Sequence, residues 1–133
     1  MTKALHQRPL SPHLAIYRWQ ITNTLSILHR MTGFGLALGL VPLTLWLWAA
    51  ANDPVMFRHL QDAFASWLGM AAMFGWILAF YYHFANGIRH LNWDMGRGFD
   101  LGTVTRSGYA VLVFAVGMTV LTAAFVGQTL GGL

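Results

Sequence analysis

Met31-Thr-Gly-Phe-Gly-Leu-Ala-Leu-Gly-Leu-Val-Pro-Leu-Thr-Leu-Trp-Leu-Trp-Ala-Ala-Ala-Asn52 runs for 22 residues without a charge. A helix rising about 1.5 Å per residue needs only ~20 such residues to cross ~30 Å of hydrocarbon. Two further uncharged runs are longer, Ala63 to Ile88 with 26 residues and Ser107 to Leu133 with 27. None alternates polar with apolar, and each far exceeds the ~10 residues of a membrane-barrel strand. The reading is all-α: three transmembrane helices, with spans at about 26–51, 63–90 and 106–131 and a short polar connector from Asn52 to Asp62. Composition agrees, because charged residues make up only 9% of the 133 and apolar ones 56%. A soluble domain carries roughly 25% charge, so this chain lacks the means to cover a water-facing surface.

Eight Lys plus Arg against four Asp give a net charge of +4. The basic residues do not gather on one polar face, so nucleic acid is not expected as a partner. They do sort across the membrane. Lys3, Arg8, Arg18 and Arg30 precede the first span or sit at its start, and Arg89, Arg97 and Arg106 surround the second loop, against Arg58 alone on the other side. That bias predicts a cytoplasmic N-terminus. Residues 1–20 read as an extended inner-side segment, since Pro9 and Pro12 fix their own φ and push the residue before each away from helix. Residues 21–133 read as the membrane domain, with Tyr17 and Trp19 suited to the interface. The first thirty residues lack the compact apolar region of a cleaved secretory signal, so the first helix is expected both to target and to anchor. Gly35/Gly39 and Gly127/Gly131 are small-xxx-small pairs that would let helices approach closely. Cysteine is absent, which removes disulfides and thiolate metal sites.

Ionisable residues at membrane depth are costly, which makes each a candidate for function. His83 is the deepest, six residues before Arg89 and so ~9 Å inside its helix end. The plain alternative is a histidine bonded to a neighbouring helix. His83, Gly87, His90 and Asp94 fall on one helical stripe. A glycine beside a deep histidine leaves a flat notch for a haem macrocycle bound through His83, and Arg30, Arg89, His29 and His90 are cationic donors available to its propionates. His29, counted from the end of the first span, is placed too shallow to oppose His83. The second axial ligand is therefore expected from another chain, in a homodimer or a heterodimer.

Ser26 and Arg30 lie four residues apart and share a helix face. A hydroxyl and a guanidinium on an apolar wall can hold a quinone, the arginine stabilising the negative charge that reduction brings. The plain alternative is that Ser26 helps start the helix and Arg30 snorkels to the headgroups.

Three motifs, Arg8-Pro-Leu-Ser-Pro-His-Leu-Ala-Ile-Tyr17, Ser26-Ile-Leu-His29-Arg30-Met-Thr-Gly33 and His83-Phe-Ala-Asn86-Gly87-Ile-Arg89-His90-Leu-Asn-Trp93-Asp94, resemble the cytochrome b anchor subunits of succinate dehydrogenase. The resemblance covers most of the chain. It implies a place in respiratory complex II, where a flavoprotein subunit oxidises succinate, an iron-sulfur subunit relays electrons, and two membrane anchors serve ubiquinone reduction. It further implies that His83 is an axial ligand of haem b, that a second anchor gives the other ligand, that His29, Arg30 and His90 lie on the propionate side, and that Ser26, Arg30 and Asp94 belong to the quinone site. The N-terminal segment would dock the soluble subunits, and no residue of this chain would be catalytic alone. The form of the Ser11-Pro-His13 segment, with no Arg- and Ser-rich region before it, points to a bacterial inner membrane more than a mitochondrial one. The rival functions are the anchor of a fumarate reductase and a transporter subunit, the latter disfavoured by the lack of polar residues repeated through the membrane depth.

Overall fold

In the computed structural model, Ile16 and residues 18–131 are described, with side chains through Thr129. The motif from Arg8 to Tyr17 lies outside the described residues apart from Ile16, as do Lys3 and the extended form read for residues 1–15, and of Gly131 only the backbone is described. The described part is helical: α1 (Ile21–Asn52), α2 (Pro54–Ala65), α3 (Trp67–Asp94) and α4 (Leu101–Gly131). Three of these, α1, α3 and α4, are long and apolar enough to cross a membrane. At 1.5 Å per residue they measure about 42–48 Å, so each exceeds the hydrocarbon thickness and reaches the headgroup layers or tilts.

The segment from Asn52 to Asp62, expected as a polar connector, is instead most of a helix. Asp53 explains why. It takes an extended backbone at φ −142°, closes α1 through its own N–H to the Ala49 carbonyl, and N-caps α2, its Oδ1 accepting from the amides of Val55 and Met56 at 3.0 Å each. Pro54 then occupies the first helical position, where a missing N–H costs nothing. A second junction follows at Ser66, whose Oγ accepts from the Gly69 amide at 3.1 Å and donates to the Ala63 carbonyl at 2.6 Å. Residues 63–65, expected inside the second span, therefore finish α2, and α3 begins at Trp67.

Helix α3 runs antiparallel to both neighbours and packs on α1 and α4, which touch each other less. Among the described residues the buried apolar set is small: Leu25, Tyr82, Val111 and Ala115 form one cluster, with Ala49 near the far end of α1. Polar bonds stitch the same region together. The Tyr82 hydroxyl donates to the Leu25 carbonyl at 2.7 Å, and the Tyr81 and Thr122 hydroxyls meet at 2.9 Å. Large apolar residues such as Phe34, Leu38, Val41 and Leu45 on α1 and Val113, Val120 and Phe125 on α4 stay exposed. This is the surface of a chain whose solvent is lipid or another apolar chain.

Of the small-residue pairs, Gly39 is used and Gly35 is not. A Cβ at 39 would overlap the Trp76 indole, whereas one at 35 or 127 would meet open space. The close approach at Gly39 thus seats a ring and not a second helix backbone. Beside it, a cavity of about 720 Å³ opens between α1, α2 and α3, lined by Pro42, Trp46, Phe64, Met73 and Trp76.

Candidate functional site

Where α1 crosses α3, three imidazoles come together. His83 stacks on His29 with ring centroids 3.9 Å apart and planes 9° from parallel, and His29 lies 4.9 Å from His90 at a 46° tilt. The origin is local. Residues 83, 87 and 90 share one side of α3, and the antiparallel α1 passes across it with His29, Thr32 and Gly33 turned inward. Nδ1 of His83 sits 3.1 Å from the His29 carbonyl and 3.3 Å from Oγ1 of Thr32. Its Nε2 has no hydrogen-bond partner among the described residues and is not sealed inside the chain. His90 leans edge-on against Trp93 at 5.1 Å.

One expectation changes here. His29 is not shallower than His83 but level with it. The depth scale counted from Arg30 and Arg89 fails because Arg89 does not mark a water-facing end. Its side chain is only 7% exposed and is folded into the α3–α4 seam. The notch expected at Gly87 is bordered by His29, whose Cε1 is the nearest atom to a Cβ built there, at an ordinary contact distance of 3.9 Å.

Stacking nevertheless excludes His29 as the ligand opposite His83. An imidazole donates through a lone pair in its ring plane, and two rings lying face to face cannot both direct that lone pair at one iron between them. His83 offers Nε2 as a nitrogen suited to ligation, since Nδ1 facing two oxygens is the arrangement that leaves Nε2 for a metal. Nδ1 of His29 is buried with no hydrogen-bond partner among the described residues. A haem group attached through His83, with polar groups near His29, fits that donor set.

Arg89 is withdrawn from the cations expected to face the propionates. Its Nε donates to Ser107 Oγ at 3.0 Å, Nη2 to the Val104 carbonyl at 2.9 Å and Nη1 to Asn86 Oδ1 at 3.4 Å, while the guanidinium lies 4.1 Å over the Trp93 ring. It joins α3 to α4. Asn86, fully buried, is part of the same arrangement.

Ser26 and Arg30 keep the shared face expected of them, Ser26 half-buried and Arg30 exposed, and neither bonds to another described residue. Ser26 does not cap α1, which starts five residues earlier at Ile21 after an extended Gln20. Asp94 is the exposed last residue of α3. Sequence reasoning passed over Thr32, Gly33, Tyr82 and Ser107. Thr32 stands three residues after His29, a spacing that puts both on neighbouring turns of one helix, and that was the available signal.

Comparison with known proteins adds an independent line. Residues 4–123 match the family described as the succinate dehydrogenase/fumarate reductase transmembrane subunit. The succinate dehydrogenase cytochrome b556 subunit of Rickettsia felis is 40% identical over 116 residues, covering 87% of this chain and 90% of its own. That of Paracoccus denitrificans is 39% identical, covering 86% and 88%. The mitochondrial succinate dehydrogenase cytochrome b560 subunit of Sus scrofa is 41% identical over 114 residues, covering 82% of this chain and 66% of its own.

Proposed function

The chain belongs to the succinate dehydrogenase/fumarate reductase transmembrane subunit family, and from that premise we propose that it is the cytochrome b anchor that links succinate oxidation to ubiquinone reduction in a bacterial inner membrane. It is a multi-pass membrane protein with three apolar helices of spanning length. The relatives named above are all succinate dehydrogenase subunits, which favours succinate oxidation over the fumarate reductase reading that the family also includes.

In this reading His83 supplies one axial ligand of haem b and a second anchor subunit supplies the other. The observation that carries it is the His83 ring, bonded to α1 through Nδ1 and left without a partner at Nε2. When bound, haem b supplies a one-electron store beside the quinone site. His29, Arg30 and His90 hold the propionates, Nδ1 of His29 finding there the partner it lacks among the described residues. Ser26 and Arg30 hold the quinone oxygens on the face they share, with Asp94 at the α3 end of the same site. The exposed Arg30 stabilises negative charge as the quinone is reduced. Residues 1–20 dock the iron-sulfur and flavoprotein subunits from the cytoplasmic side.

One panel of variants in the purified complex tests this. His83→Ala removes the low-spin b-type signal from the reduced-minus-oxidised spectrum. Arg30→Ala lowers succinate-to-quinone turnover at least tenfold, about 1.4 kcal/mol, while succinate oxidation with an artificial acceptor persists. An unchanged b-type signal in the first variant sinks the ligand assignment, and equal loss of both activities in the second makes Arg30 an assembly residue.

A further inference from the structure

We propose that the Thr32–Gly33 step of α1 is the positioning element for His83, Thr32 joining the His29 carbonyl in holding the tautomer and Gly33 fixing the seat of the ring. The inference rests on the reading of His83 as a haem ligand. Oγ1 of Thr32 lies 2.8 Å from the Leu28 carbonyl and 3.0 Å from the His29 carbonyl. Both are acceptors only, so the hydroxyl hydrogen is spent on the α1 backbone. What the hydroxyl turns to His83 Nδ1, at 3.3 Å, is a lone pair. The other neighbour of Nδ1 is the His29 carbonyl at 3.1 Å, again an acceptor. A ring nitrogen placed between two acceptors carries the proton. In a neutral imidazole the lone pair is then left on Nε2.

Gly33 sets the seat. A Cβ at that position would stand 2.9 Å from Cε1 of His83 and 3.5 Å from Nδ1, closer at Cε1 than real side-chain carbons come. The contact is with a rigid ring held by stacking on His29, so there is no flexible tip to give way. Thr32 therefore acts on the chemistry of the ligand and Gly33 on its location. An N–H donated from the far side of an axial imidazole makes the ligating nitrogen more basic, which favours the ferric state.

Redox titration and low-spin ferric EPR of the whole purified complex test the proposal. Thr32→Val keeps the branched shape and removes one of the two acceptors, leaving the His29 carbonyl. Haem content is expected to hold, while the ferrous to ferric ratio at a fixed ambient potential rises about two- to tenfold, the size of one ordinary hydrogen bond. Thr32→Ser restores the hydroxyl and is expected to titrate with the parent. Gly33→Ala is expected to lose haem, or to retain it with altered g values as the ring is pushed from its seat. Should Thr32→Val fail to assemble, Thr32→Ala removes the same hydroxyl at smaller volume and carries the same test. If Thr32→Val or Thr32→Ala titrates with the parent while His83→Ala loses the b-type signal, the positioning role is overturned and the ligand assignment stands. If His83→Ala keeps the signal, both fall.

Discussion

The seam between α1 and α3 seats two aromatic rings by the same device. At one level His83 lies over Gly33 with a ring nitrogen 3.1 Å from the His29 carbonyl; seven residues earlier on α3, Trp76 lies over Gly39 with its Nε1 donating to the Leu36 carbonyl at 3.4 Å. In both, a missing Cβ lets a flat ring reach a backbone oxygen of α1. The difference is what remains once that contact is made. Indole has one nitrogen and it is a donor, so Trp76 has nothing left to offer a ligand. Imidazole has a second nitrogen carrying a lone pair. One packing solution thus uses the ring's whole bonding capacity at Trp76 and leaves a nitrogen free at His83, and the heteroatom count of the ring decides which.

The contrast can be broken most forcefully at Gly39. Gly39→Ala places a methyl inside the Trp76 indole and is expected to cost about 1–3 kcal/mol, the usual range for overpacking a filled site. It lowers the thermal stability of the purified complex while the b-type spectrum keeps its position; a shifted spectrum would mean that the two ring seats are coupled along the seam. Trp76→Phe is milder. It loses a long hydrogen bond and some ring volume, for an expected cost of about 1 kcal/mol by thermal unfolding, again with the haem spectrum unchanged.

The smallest effect lies off the seam, at Asp100. This exposed carboxylate caps α4, accepting from the Thr103 amide at 2.9 Å, and the Thr103 side chain, then its amide, hold it below the ordinary carboxylate range. A lowered value in the folded chain means that the cap contributes fully above the ordinary Asp pKa of 3.8 and fades as pH falls through the folded value. Protection of the Thr103 amide, its exchange rate measured against that of an unstructured amide at the same pH, is expected to fall on acidification below about pH 4, and Asp100→Asn to flatten that dependence.

The three spans were legible because charge is so sparse that its gaps alone mark membrane crossings. Helix α2 was missed because Asp53-Pro54 reads as a break, and here it both ends one helix and begins the next. The place of His83 inside the bundle was legible from its depth and its neighbours at helical spacing. Its relation to His29 was not, since residue counting along one helix fixes no level on its partner. Arg89 shows the reason most clearly. A cation in sequence reads as a boundary marker, and only packing reveals that Ser107, Val104 and Asn86 draw it into the seam.

That seam bears on how the protein responds to its medium. Arg89 meets a hydroxyl, a carbonyl and an amide, and no carboxylate among the described residues. Mobile ions weaken attractions between exposed opposite charges, with a screening length of ~10 Å at 0.1 M salt. They have little hold on a guanidinium bound to neutral oxygens and shielded from water. The α3–α4 pair is thus joined by a charged residue whose grip is indifferent to ionic strength, so that high-salt washing during purification can strip loosely held partners from this subunit without loosening its own helices.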